Sequence, residues 1–123
     1  MPCTSAPIMV LVVEDEPLIR MIAVDALLEA EFAVLEASNA DGAVAILEKR
    51  DDVRVVFSDI DMPGSMDGLK LAGDVRHRWP AIEILLTSGH CRVQLRDFPE
   101  RSVFIPKPYR IERVVETLRK LAA

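Results

Sequence analysis

Ile8-Met9-Val10-Leu11-Val12-Val13 is an unbroken apolar run rich in β-branched residues, the way a strand buried on both faces reads. It ends at Glu14-Asp15-Glu16-Pro17, where acidic side chains and a first-turn proline suit a helix N-terminus. The rows Leu18, Ile22, Ala26 and Ile19, Ala23, Leu27 then recur at helical spacing to about Ala30.

The same alternation repeats down the chain. Phe32 to Ala37 reads as a second strand, and Ser38 with Asp41 resembles a capping box ahead of Ala40, Ala43, Val44 and Leu47 on one helical face. Val53 to Ser58 is a third strand, followed by an Asp- and Gly-rich loop to Gly68 and a helix bearing Leu69, Ala72, Val75 and Trp79. Ile82 to Thr87 and Val103 to Ile105 complete the strands, and Ile111, Val114, Val115, Leu118 and Leu121 line a last helix. Between them, His90 to Pro99 leaves room for a short or irregular helix only, because Pro99 interrupts it.

Apolar strands alternating with amphipathic helices require an α/β fold with a parallel sheet covered on both faces. A chain of 123 residues supplies one such domain and can bury a core without metal or disulfide staples. Residues 1–7 read as a flexible N-terminal segment and 8–123 as the domain. No apolar run approaches the roughly 18 residues that cross a membrane, so a soluble protein is expected. Cys3 and Cys91 have neither metal-type spacing nor a disulfide framework, which fits a reducing cytoplasm.

In open α/β sheets the chemistry gathers beyond the carboxyl ends of the strands. The residues there are Glu14 and Asp15, then Asp59 and Asp61, then Thr87 and Ser88, then Lys107. Two like charges about 4 Å apart repel by roughly 4 kcal/mol at an effective dielectric near 20. Clustered carboxylates therefore need a counter-charge, which Lys107 supplies in part and a hard divalent cation such as Mg²⁺ would complete. Taken singly, each group has a plainer use: a helix cap, a turn, a strand-end hydroxyl, a solvated lysine.

Four ordered segments, V-L-V-V-E-D-E-P at 10–17, D-I-D-M-P-G-S-M-D-G at 59–68, L-L-T-S-G at 85–89 and F-I-P-K-P-Y at 104–109, resemble the receiver domains of two-component response regulators. The resemblance runs from Val10 to Leu121. It implies a doubly wound, flavodoxin-like sheet of five parallel strands in the order 2-1-3-4-5. It also implies that Asp59 accepts a phosphoryl group from a phosphohistidine on a histidine kinase or histidine phosphotransfer protein. Mg²⁺ would be held by Asp15 and Asp59, by the backbone carbonyl of Asp61, and by Glu14 directly or through water. Thr87 and Lys107 would bind phosphoryl oxygens. Thr87 and Phe104 would form the switch, Phe104 lacking the hydroxyl of a tyrosine, and Asp61 and Ser88 would tune the site. The Lys107–Pro108 bond is expected to be cis.

Two departures stand out. The stretch Met62 to Gly68 is one residue longer than the family's usual pattern, and Asp61 adds a negative charge two residues past the acceptor. The aspartyl-phosphate lifetime is the property this charge is expected to change. His90 and His77 read as solvated, and Trp79-Pro80 as packing against and ending a helix.

A haloacid-dehalogenase-type phosphatase is the rival from another class, since Asp59-Ile60-Asp61 imitates its nucleophile motif. Motif order opposes it, because here the acidic pair Glu14-Asp15 comes first. A second rival is a binding module of this fold that has lost phosphorylation, which a complete pocket opposes. Within the family, the alternative to a stand-alone regulator is the receiver portion of a hybrid histidine kinase or phosphorelay.

Net charge is −5, which argues against a nucleic-acid-coating surface. Sixteen of the 20 acidic residues precede His90, and 8 of the 15 basic residues follow Gly89. The resemblance implies a phosphoacceptor rather than a turnover enzyme, with an unknown downstream protein target, and no direct nucleic-acid or membrane binding is expected. It would be a monomer, or a weak homodimer through the fourth helix, fifth strand and fifth helix.

Overall fold

The computed structural model describes residues 7–61, 67–89 and 98–123. The elements are β1 (Met9–Val13), α1 (Pro17–Glu29), β2 (Ala33–Ala37), α2 (Ala40–Lys49), β3 (Val55–Asp59), α3 (Gly68–Arg78), β4 (Glu83–Ser88), β5 (Ser102–Pro106) and α4 (Ile111–Ala122). The strands form one parallel sheet in the order β2-β1-β3-β4-β5, the order the family resemblance implies. The order reverses at β1, which pairs with β2 on one side and β3 on the other. A cleft opens at such a reversal beyond the strand ends.

β1 shows why its sequence is apolar throughout. Alternate residues of a strand face opposite sides: Val10 and Val12 join a cluster with Ala23, Leu27, Val114 and Leu118 from α1 and α4. Leu11 and Val13 join the other, with Ala43, Leu47, Leu71 and Val75 from α2 and α3. Two cores therefore sandwich the sheet. In α4 the inward row Val114, Leu118, Ala122 is buried.

Several sequence expectations shift by a residue or two. The second strand starts at Ala33 rather than Phe32, because Glu31 takes a left-handed φ of 71° and Phe32 N–H closes α1 by donating to the Leu27 carbonyl. The third strand starts at Val55 and not at Val53. The cap of α2 is Asn39, whose side chain accepts from Gly42 N–H at 2.7 Å, and not the expected Ser38; asparagine caps as well as serine. On α3 the buried row includes Leu71, with Leu69 only half-buried. Trp79 does end that helix, and its ring carries the Arg78 guanidinium at 4.4 Å. His77 is exposed.

α1 forms where the helical spacing placed it. Its row Ala23, Leu27 is buried together with Val24, but Leu18 and Ile22 are 65% and 58% exposed, and Met21 51%. The helix is apolar nearly all round, so periodicity alone offered two faces where the sheet accepts one.

Residues 1–6, the added loop residue in Met62 to Met66, and the segment 90–97 with His90 and Cys91 lie outside the described residues. So do Cys3 and most of the expected short helix.

Candidate functional site

Asp59 is the last residue of β3 and sits in register with Thr87 of β4. Its carboxylate is 4% exposed at the residue level and both oxygens are engaged. Oδ1 accepts the Asp61 N–H at 3.0 Å, and Oδ2 accepts from the Lys107 ammonium at 2.8 Å. Lys107 follows β5, where its own N–H donates to the Ser88 carbonyl at 2.9 Å. The Lys107–Pro108 bond is cis, as the family resemblance implied.

Glu14 follows β1 and is 5% exposed. It lies 3.7 Å from Lys107 Nζ and accepts the Glu16 N–H at 3.1 Å. Arg20, one turn into α1, donates to the Glu14 carbonyl at 2.7 Å. Carboxylate oxygens of Glu14, Asp15 and Asp59 come within 4.8 Å of one another. The Lys107 ammonium pairs with two members of this three-carboxylate cluster, Glu14 and Asp59. This under-neutralised set of hard oxygen donors fits a divalent cation such as Mg²⁺, which favours oxygen ligands and keeps several waters.

The electrostatics agree. Burial pushes the Glu14 carboxyl up from 4.5 to about 7, with the Asp59 charge adding to the rise and the Glu16 amide and Lys107 opposing it. Burial disfavours the Lys107 ammonium, but the hydrogen bond and charge of Asp59, then Glu14, outweigh this and raise its pKa above 10.5. The Thr87 hydroxyl is buried and finds no hydrogen-bond partner among the described residues. A buried unpaired hydroxyl is costly, so its vacancy beside Asp59 suits an acceptor oxygen brought by a substrate.

A pH dependence follows from Glu14. Between about 4.5 and about 7 the folded chain holds a proton that the unfolded chain has released, so metal-free stability falls as pH rises through this window. Glu14→Gln should stabilise the chelated protein by up to about 3 kcal/mol at pH 8, and by little near pH 4. Urea melts at the two pH values measure it, and equal gains at both would contradict the burial of a charged Glu14.

Asp15, Glu14, Asp59, Thr87 and Lys107 are thus brought to one place. Ser88 joins them through its hydroxyl, which donates to Asp61 Oδ2 at 2.7 Å. Phe104 is half-buried, and its ring lies tilted at 44° to that of Phe98 with centroids 5.2 Å apart.

Three contributors escaped the sequence reading. Gly68 opens α3 against the backbone of Asp59 and Ile60, where a Cβ would lie 2.2 Å from the Asp59 carbonyl oxygen. The Asp67-Gly68 pair, cap then glycine, was the available signal. Tyr109 lines the small cavity behind Glu14, Asp59 and Thr87 and meets Phe57 edge-on. Arg20 has no sequence signal, since its contact is with a backbone carbonyl.

The response regulator receiver domain family matches residues 10–119. The chain is 34% identical over 116 residues to sensor kinase CckA of Brucella abortus, covering 91% of this chain and 12% of that protein. It is 36% identical over 118 residues to the hydrogenase transcriptional regulatory protein HoxA of Cupriavidus necator, covering 90% and 23%. The chain therefore spans less than a quarter of either relative's length. Among solved structures, response regulator protein TrrA of Thermotoga maritima in complex with Mg²⁺ and BeF superposes with a TM-score of 0.81 at 27% identity, covering 93% of this chain and 98% of that one.

Proposed function

The chain belongs to the response regulator receiver domain family, and on that premise we propose that residues 8–123 form one phosphoacceptor domain in which Asp59 takes a phosphoryl group from a protein phosphohistidine. The observation that carries this reading is the Asp59 carboxylate, buried at a strand end, paired with Lys107 at 2.8 Å and lining one small cavity with Thr87, whose buried hydroxyl finds no partner among the described residues. An Asp59 oxygen attacks phosphorus in line, the phosphorus–nitrogen bond breaks, and its electron pair stays on the departing imidazole, which takes up a proton. Lys107 pairs with one phosphoryl oxygen and Thr87 donates to another. Glu14, Asp15, Asp59 and the Asp61 carbonyl would hold a Mg²⁺ ion, which when bound would add charge neutralisation on those oxygens. The donor set and the Mg²⁺ in the Thermotoga maritima relative's structure support that choice of ion.

As the Thr87 hydroxyl turns to the phosphoryl group, Phe104 moves and the surface around β5 and α4 changes for a downstream protein. CckA is a sensor kinase and HoxA a transcriptional regulator, so both a place within a kinase phosphorelay and a place in a regulator fit the relatives. Among the described residues no helix is long and apolar enough to cross a membrane, which agrees with a cytoplasmic site of action. Acetyl phosphate with Mg²⁺ should load one phosphoryl group per chain and then stall. Steady release of phosphate from p-nitrophenyl phosphate would instead support the hydrolase reading.

The phosphohistidine protein docks on α1. Leu18, Met21 and Ile22 are over half exposed on that helix, and Ile19 of the same helix lines the cleft with Gly89, Lys107, Pro108 and Tyr109. A donor must reach Asp59 through this mouth, so the apolar face continuous with it is where its helices rest. Ile22→Glu should slow transfer from a phosphorylated kinase about tenfold, the cost of losing one buried aliphatic contact, and leave labelling by acetyl phosphate unchanged. Equal slowing of both would contradict docking at this face.

A further inference from the structure

Ser88 is a buried serine, 2% exposed, at the end of β4. Packing alone would be served there by alanine. Its carbonyl accepts the Lys107 N–H at 2.9 Å and its hydroxyl donates to Asp61 Oδ2 at 2.7 Å, a length typical of a charge-assisted bond from a hydroxyl to a carboxylate. One residue therefore ties the segment after β3 to the segment after β5 across the mouth of the site.

Asp61 is held at two points. Its N–H donates to Asp59 Oδ1 at 3.0 Å, and its side chain is fastened to Ser88. An exposed aspartate left untied would sample several rotamers and carry its peptide unit with it. The tie also keeps one oxygen of a fourth carboxylate occupied with a donor beside a cluster of three others, two of which share the Lys107 ammonium.

We propose that Ser88 is a positioning residue of the phosphoacceptor site, its hydroxyl holding Asp61 so that the Asp61 amide stays on Asp59 Oδ1 and the Asp61 peptide unit keeps one place beside the acidic cluster. The proposal rests on the reading of that cluster as the Mg²⁺-assisted phosphoacceptor site. The positioning runs through the Asp61 side chain, so the effect of the hydroxyl should shrink once Asp61 offers no side-chain acceptor. Asp61→Asn separates charge from tie, because its side-chain carbonyl can still accept from Ser88.

The test is a double-mutant cycle of Ser88→Ala and Asp61→Ala, with Asp61→Asn beside it, read on the full chain in two ways. The first is amide-exchange protection at residue 61 by NMR in chelator, and the second is the dissociation constant for Mg²⁺ followed in the same spectra. Loss of one charge-assisted hydrogen bond predicts that Ser88→Ala lowers the protection and weakens Mg²⁺ binding, each about fivefold. In the Asp61→Ala background the same substitution should change neither by as much as twofold, and Asp61→Asn should retain the protection. Equal effects of Ser88→Ala in both backgrounds, or unchanged protection in the first, would overturn the proposal. If the unmodified protein bound no Mg²⁺, the phosphoacceptor reading would fail, while the protection measured in chelator would still decide whether Ser88 positions Asp61.

Discussion

Gly68→Ala is expected to lower stability by about 3 kcal/mol and the melting temperature by about 10 °C. The added Cβ would lie 2.2 Å from the Asp59 carbonyl oxygen, 2.6 Å from the Ile60 Cα and 2.9 Å from the Asp59 carbonyl carbon. All three are backbone atoms of the strand end that carries the acceptor, so no side chain can swing aside. The start of α3 must retreat instead, stretching the bond from Gly68 N–H to the Ile60 carbonyl at 3.0 Å and the Asp67 cap on Lys70 N–H. Because the crowded strand end is Asp59 itself, phosphoryl loading should suffer along with stability. Gly73 is the internal control: it lies on the same helix with nothing within 4 Å of its would-be Cβ, so Gly73→Ala should stabilise by about 0.5–1 kcal/mol. If both variants melted alike, the close approach of α3 to Asp59 would be wrong.

Lys107→Met has the second large effect. The substitution keeps an apolar stem but leaves Asp59 and Glu14, 5% and 7% exposed at their side chains, without their ammonium. Removing one partner of a buried pair costs about 3–5 kcal/mol. A quarter of the Lys107 side chain is open to solvent, so about 2 kcal/mol is expected at pH 8 in chelator. The sign with pH follows from the carboxyls. Burial already raises the Glu14 carboxyl and the Lys107 charge opposes that rise, so with Lys107 gone Glu14 holds its proton more readily in the folded chain and the loss shrinks toward pH 5. Mg²⁺ should also shrink it, by supplying the missing positive charge. Loading from acetyl phosphate should slow about a hundredfold, the usual scale for removing one preorganised charge from a transition state. A variant as stable as the parent at pH 8 without Mg²⁺ would contradict the role of Lys107 as counter-charge.

The sheet was legible because β1 is apolar at every position, which only a strand covered on both faces requires, and because each strand end carried a residue with chemistry. Asp59, Thr87 and Lys107 could be placed at one sheet edge from the alternation alone, and their assembly follows from the parallel register of Asp59 with Thr87. What the sequence hid has physical reasons. Leu18 and Ile22 obey the same helical period as Ala23 and Leu27, so the pattern could not tell the face turned to the sheet from the face turned outward. Asn39 and Ser38 are equivalent caps by chemistry, and only the path of the chain chooses between them. Arg20 and Gly68 act on backbone atoms, which carry no residue-specific signal. The tie from Ser88 to Asp61 joins residues 27 positions apart, and neither residue type predicts the other.

The central claim is that Asp59 is the one phosphoryl acceptor and needs a divalent cation to act. Peptide mapping after incubation with acetyl phosphate, with Mg²⁺ or with chelator, tests it most directly. A single acyl phosphate on Asp59 is expected, formed with Mg²⁺ and absent in chelator, with no label on the Asp59→Ala variant. Label at another residue, label retained by Asp59→Ala, or equal loading in chelator would contradict it.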